Sequence, residues 1–170
     1  MGGKMARNKG QRGEREVCKL IQPIMDAVAA KYPNYVKSLP QAARNLVQTR
    51  SGGFDIAGVP WAAIEVKRVE KVTQGAIDKW WEQAVRQAGT DREPVLLWRR
   101  NSAKWRARLW LTVQTRDGIL EFPADVCVDT LKMWFEEMHT EWLKKHAFET
   151  WEQIKDECAI DVFEHDDEDE

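Results

Sequence analysis

The apolar positions of the chain change their period several times. Between Gln11 and Lys31, Val17, Ile21, Ile24 and Val28 recur at steps of four, three and four, which marks one face of a helix. Residues 1–11 show no such period and read as a mobile basic arm. Residues 32–45 carry two prolines and read as a loop or a short turn of helix. Short strands then follow over "LVQTR" (46–50) and "FDIAGV" (54–59), with the turn "SGG" between them, and over "WAAIEVKRV" (61–69) after Pro60. A helix runs through "TQGAIDKWWEQAVRQAG". Thr73 is placed to cap its start, Ile77, Trp80, Trp81, Ala84, Val85 and Ala88 make its stripe, and Gly89 stops it. "PVLLWRR" and "RARLWLTV" read as two further strands. After Pro123, Leu131, Trp134, Phe135, Met138 and Trp142 mark a second amphipathic helix, with a shorter segment near Phe148 to Ile154. Helix, strands, helix, strands, helices is the order of an α/β domain whose mixed sheet is flanked by helices.

Three charges disturb this pattern. Asp55 sits among glycines and apolar residues, and Glu65 and Lys67 interrupt a run that otherwise reads as a buried strand. Strand side chains alternate, so Trp61, Ala63, Glu65 and Lys67 share one face, with Glu65 and Lys67 about 7 Å apart along it. If "FDIAG" pairs antiparallel with this strand, Asp55 reaches the same end. Two carboxylates beside an ammonium form a site for a hard cation, and that set suits metal-assisted phosphodiester hydrolysis. The plainer alternative is a surface Glu–Lys pair on an edge strand. Against it, Glu65-Val66-Lys67 is the one acid-x-Lys triplet in the chain and lies in its most apolar strand. Glu14 lies three residues before Val17 and four before Cys18, at the edge of the first helix's apolar face. Its carboxylate points toward the body of the protein, and it also suits the positive end of the helix dipole.

Charge divides the chain in two. Residues 1–116 hold 22 Lys and Arg against 10 Asp and Glu, whereas residues 117–170 hold 4 against 18. The first part suits a polyanionic partner. Arg7, Lys9, Arg12, Arg15, Arg50, Lys67, Arg68 and Lys71 gather in sequence around the three charges. "RRNSAKWRAR" (99–108) reads equally as an extension of a DNA track or as a solubilised exposed hairpin. The last residues, "EHDDEDE", read as a solvated, disordered tail. The three cysteines show no metal spacing, and Cys18 falls on an apolar helix face as a small core residue. Their odd number suits a reducing cytoplasm. No apolar run spans a membrane, and the basic N-terminus lacks the apolar stretch of a secretory signal. Trp80, Trp81, Trp134 and Trp142 read as core or subunit interface. Gln83 and Gln87, four apart on one helix face, read as a solvent-facing pair in preference to polar residues near a metal, and no role is assigned to His139, His146 or His165.

Asp55, nine intervening residues, then Glu65-x-Lys67 resembles the PD-(D/E)XK nuclease superfamily. "NKGQRGERE" (8–16) is similar to the N-terminal signature of archaeal-type Holliday junction resolvases, in which a basic residue and a glycine precede a Glu-Arg-Glu opening the first helix. "TRSGGFDIAG" (49–58) and "AIEVK" (63–67) resemble that family's arginine–serine turn with its aspartate and its glutamate–lysine strand. Such nucleases also occur among bacteriophage proteins. The motifs cover roughly residues 8–100, residues 101–170 find no counterpart in them, and Phe54 stands where the superfamily name has proline.

The resemblance implies a restriction-endonuclease-like fold, a mixed central sheet flanked by helices. The chain then divides into a nuclease core over 12–116, a helical C-terminal extension packed on it over 117–158, and an acidic tail over 159–170. The resemblance implies Asp55 and Glu65 as metal ligands with the Val66 carbonyl, Glu14 as the acid completing the site, and Lys67 as the catalytic lysine. It further implies Arg50, Ser51 and Arg15 on the phosphate backbone, Mg²⁺ as cofactor with Mn²⁺ as substitute, and a four-way DNA junction as substrate. Paired cuts require a homodimer, for which the aromatics of 77–110 and 131–151 offer an interface. The same chemistry serves a nicking or flap nuclease, and the same fold serves a non-catalytic DNA-binding protein.

Overall fold

The computed structural model describes residues 2–33, 40–46 and 53–146. Its elements are α1 (Gly2–Lys31), β1 (Ala43–Arg44), β2 (Ile56–Ala57), β3 (Ala62–Val69), α2 (Gln74–Ala88), β4 (Glu93–Arg100), β5 (Arg106–Thr115), β6 (Gly118–Cys127) and α3 (Val128–Lys145). The strands form one six-stranded sheet in the order of the chain. Every neighbouring pair is antiparallel except β3 and β4. That parallel pair requires a crossover, which α2 supplies. The mixed sheet flanked by helices agrees with the restriction-endonuclease-like expectation.

The two faces of the sheet have different partners. Ala62, Ile64 and Val66 of β3, with Val95 and Leu97 of β4, pack under Val17, Ile21, Met25 and Val28 of α1 and Leu131 and Phe135 of α3. On the opposite face Leu96 and Trp98 meet Ile77, Trp81 and Ala84 of α2. The ends of α2 follow the sequence. The Thr73 hydroxyl accepts the Ala76 N–H at 3.3 Å, and Gly89, at φ 61°, donates its N–H to the Val85 carbonyl.

Four expectations change. Helix α1 starts at Gly2, so the stretch read as a mobile arm is its first turns; a formed helix extends at the cost of one residue per added hydrogen bond, without needing an apolar stripe. Strand β1 falls at Ala43–Arg44, inside the stretch read as a loop, where it pairs with β2 and is tied to α1 by the Ala42 N–H donated to Gln22 Oε1 at 2.7 Å. The sheet also runs past residue 116, because β6 occupies a segment read as the approach to a helix. Pro123 is tolerated there because β6 is an edge strand. Arg108, buried, clamps this edge by bonding Asp125 of β6 at 2.5 and 3.1 Å and Asp78 of α2 at 2.7 Å.

Finally, Trp61 does not join Glu65. It precedes β3, outside the alternation, and packs into the α1–α3 side. There its ring lies 4.9 Å from that of Phe135, and its indole N–H donates to His139 Nδ1 at 3.1 Å. Burial lowers the His139 pKa to about 4, so this imidazole is neutral and structural. Residues 47–50 of "LVQTR", the segment near Phe148 to Ile154 and the acidic tail lie outside the described residues.

Candidate active site

The antiparallel register of β2 on β3, Ile56 opposite Ile64, carries Asp55 alongside Glu65. Asp55 is held by its backbone on both sides. Its N–H donates to the Ile64 carbonyl at 2.8 Å, and its own carbonyl accepts the Asn45 N–H at 2.9 Å. Its side chain turns to β3, where Oδ2 accepts the Val66 N–H at 2.7 Å. Glu65, only 1% exposed, projects from the α2 face of β3. The small residues Ala63 and Ala88, packed with Phe54, line this part of the contact between β3 and α2.

The two oxygens of Glu65 are unlike. Oε1 accepts from the Lys67 ammonium and from Gln83 Nε2, the latter at 2.9 Å. Oε2 is buried with no hydrogen-bond partner among the described residues. Burial, first, and the neighbouring Asp55 carboxylate, second, push Glu65 up from the ordinary carboxylate range, against the pull of the Lys67 ammonium. Two carboxylates out of water beside each other repel, and a cation between them relieves the repulsion.

This has a consequence for stability. A carboxyl whose folded pKa is raised stabilises the fold only while protonated, and that contribution is lost as pH rises through the folded value. Glu65→Gln is therefore expected to raise the melting temperature of the metal-free protein at pH 7 by a few degrees. The gain should vanish below about pH 4, where Glu65 is neutral in both states. Thermal melts at the two pH values check this, and a lower melting temperature for the variant at pH 7 would contradict it.

The remaining candidates are placed as follows. Lys67 is partly exposed beside Glu65. Glu14, at 15% exposure, is held by Arg44, whose Nε lies 2.5 Å from Glu14 Oε2. Arg44 pairs with Ile56, the residue after Asp55, so Glu14 is tied to the strand next to the carboxylate pair. Arg7 and Lys9 lie on α1, Arg12, Arg15 and Lys71 are exposed, and Arg68 is half-buried at the end of β3. Arg50 and Ser51 lie outside the described residues.

Sequence reasoning missed three residues. Gln83 and Gln87 are not a solvent pair: Gln83 binds Glu65, and Gln87 Nε2 donates to the Gly53 carbonyl at 2.7 Å. Their spacing of four on α2 places both on one side of the helix, which was visible, but which side faces β3 was not. Arg44 is the third, hidden in a stretch without periodicity.

Among protein families, the one described as "Phage putative PDDEXK endonuclease" matches residues 5–161. The chain belongs to that family. No curated protein and no solved structure matches it. The match makes this chain a PD-(D/E)XK nuclease of the phage type, and it takes in β5, β6 and α3, beyond the residues that the shorter motifs reached. PD-(D/E)XK nucleases typically use divalent metals. The site of this PDDEXK chain fits one: a buried carboxylate oxygen lacks a partner among the described residues, and a second carboxylate lies beside it. Among the described residues no group of three or more His, Cys, Asp and Glu is arranged for a metal. Two carboxylates suffice for a hard divalent cation whose remaining positions are taken by water or substrate oxygens. No helix among the described residues is long and apolar enough to cross a membrane.

Proposed function

We propose that this PDDEXK nuclease is a Mg²⁺-dependent, structure-selective DNA endonuclease, phage-encoded, that resolves four-way junctions by paired symmetric cuts as a homodimer. The observation that carries the chemistry is the divided environment of Glu65, with one oxygen bonded to Lys67 and Gln83 and the other without a partner beside Asp55. Asp55, Glu65 and the Val66 carbonyl would hold the ion, with Glu14 nearby on α1. When bound, the ion supplies a Lewis acid for the scissile phosphate and lowers the pKa of a bound water. Lys67 stabilises the charge that develops on the phosphate, from a position set by Glu65. Gln83, by bonding Oε1, fixes the rotation of the Glu65 carboxylate and would leave Oε2 to hold the ion.

DNA contacts fall to Arg7, Lys9, Arg12, Arg15, Arg50, Ser51, Arg68 and Lys71. Preference for a junction draws its support from the resolvase-like signatures at 8–16 and 49–58. The aromatics first considered for the subunit interface are mostly packed in the core, Trp81 and Trp98 against β4 and α2. Exposed apolar residues occur instead on the β5–β6 hairpin, at Val113, Ile119, Leu120 and Phe122, and these favour that hairpin as the interface.

A panel of four-way junction, flap, duplex and single-stranded DNA, each with and without Mg²⁺, tests the reading. Paired symmetric incisions in the junction, dependent on Mg²⁺, are expected. Equal cutting of flap or duplex would make it a nuclease of another substrate. Binding without cleavage in Mg²⁺ or Mn²⁺ would make it a DNA-binding protein on a nuclease fold.

A further inference from the structure

Glu16 lies two residues beyond Glu14, and three arginines from three different elements converge on it. Arg12 Nε of α1 is 3.4 Å and Arg68 Nη1 of β3 is 3.3 Å from Oε1, while Arg99 Nη2 of β4 is 2.6 Å from Oε2. Arg68 and Arg99 are register partners at the C-terminal ends of the parallel pair, on the face that α1 covers. Helix α1 comes close enough to gather them because residue 13 is glycine. A Cβ there would lie 3.1 Å from Arg68 Cβ and 3.6 Å from Trp105 Cη2. The Arg99 guanidinium lies 5.1 Å from the centre of the Trp105 ring, which keeps its plane in place.

The charge balance separates this cluster from a structural ion pair. Arg108 shows what the latter looks like in this chain: one guanidinium, buried and bonded to two carboxylates. At Glu16 the ratio is reversed, with three guanidiniums on one carboxylate. Arg68 Nε and Arg99 Nε have no acceptor among the described residues, so Glu16 does not saturate the forks. The surplus continues outward. Arg99, Arg100, Lys104 and Arg106 line an adjoining cavity of about 280 Å³ that no acid enters. From residue 94 to residue 116 the chain has six basic residues and no acidic one. A surplus of planar, oriented guanidiniums at one end of a sheet is suited to phosphate oxygens.

We infer that Glu16 assembles Arg12, Arg68 and Arg99 into a phosphate clamp for a stretch of DNA backbone other than the one being cut. Arg68 follows Lys67 in the strand, but their side chains leave opposite faces. The cut phosphate therefore belongs on the α2 face beside Glu65, and the clamp takes backbone passing the ends of β3 and β4. The clamp rests on the reading of this chain as a DNA nuclease, and it turns residues 99–106 from a solubilised hairpin into part of the substrate track.

The test is binding of labelled junction and duplex DNA by fluorescence anisotropy, without divalent metal, over a roughly sixfold range of KCl from about 0.05 to about 0.3 M. Arg68→Gln and Arg99→Gln should each weaken binding by roughly 5–10-fold near 0.1 M salt and reduce the slope of log K against log salt by about one. Arg12→Gln, at an exposed position where folding is not at stake, should also lower the slope. Lys132→Gln on α3 serves as the control and should keep the wild-type slope. If the wild type binds with a steep salt dependence and all three arginine variants keep that slope, the clamp is wrong and the nuclease reading stands. A lower melting temperature with an unchanged slope would assign the cluster to stability alone and likewise overturn the clamp. A wild type that binds neither DNA would remove both readings.

Discussion

Lys67→Ala is expected to slow DNA cleavage by about a thousandfold or more, with DNA affinity changed only a few-fold. The ammonium is bonded to Glu65 Oε1, beside the carboxylate pair that is proposed to hold the ion. Removing it takes away charge stabilisation that matters most in the transition state, and losses of one such donor are typically about 10²–10³-fold. It also removes a charge that favours ionised Glu65, so the carboxyl is pushed further from its ordinary range. The two effects add. Glu65→Ala should be at least as damaging, since it removes the carboxylate proposed to hold the ion, whose Oε2 has no partner among the described residues. Single-turnover cleavage at saturating enzyme, with affinity measured separately in metal-free buffer, separates chemistry from binding. A Lys67→Ala protein that cuts within about tenfold of wild type would contradict the assignment.

Gly58→Ala is expected to cost roughly 3 kcal/mol or more of stability and to cripple cleavage, although residue 58 touches no substrate. Gly58 has φ 83°, a region that L side chains enter at a cost. A Cβ there would lie 2.0 Å from the Gln41 carbonyl oxygen and 2.6 Å from its carbon. Both are backbone atoms, so no rotamer change relieves the clash. The chain before β1 must move, and with it Arg44, Asn45 and the backbone bond that holds Asp55. Gly75→Ala is the matching control: it lies in α2 with no atom within 4 Å of the new methyl, and should be neutral or stabilising. Urea unfolding of the two variants checks the comparison. Equal midpoints would show that the segment before β1 yields freely.

Where residues carried a strong local signal, the elements were legible in advance. Thr73 and Gly89 bounded α2, and the alternation through Ile64, Val66 and Glu65 defined the two faces of β3. The failures were of one kind, because each depended on what lay across the chain. β6 carries Pro123 in mid-strand, where bonding to neighbours on both sides would not accept it, and its place at the sheet's edge permits it. Trp61 had the parity of Glu65 but not the strand backbone that would make parity count. Gln83 and Gln87 had a spacing common on any helix surface, and their meaning came from the pairing of α2 with β3.

By itself the sequence determined the chemistry on offer. It placed two carboxylates and a lysine in apolar surroundings, at a spacing that alternation turns toward one face, and it separated basic from acidic halves. Such properties are carried by residue type and local period, which no later packing can alter. Only the tertiary structure decided how those groups divide their bonds. It left one oxygen of Glu65 without a partner among the described residues while Lys67 and Gln83 hold the other, gave Glu14 to Arg44, and gave Glu16 three arginines. Hydrogen-bond partners in a folded chain come from elements distant in sequence, brought together by burial of the apolar faces, and no local pattern encodes which of them will meet.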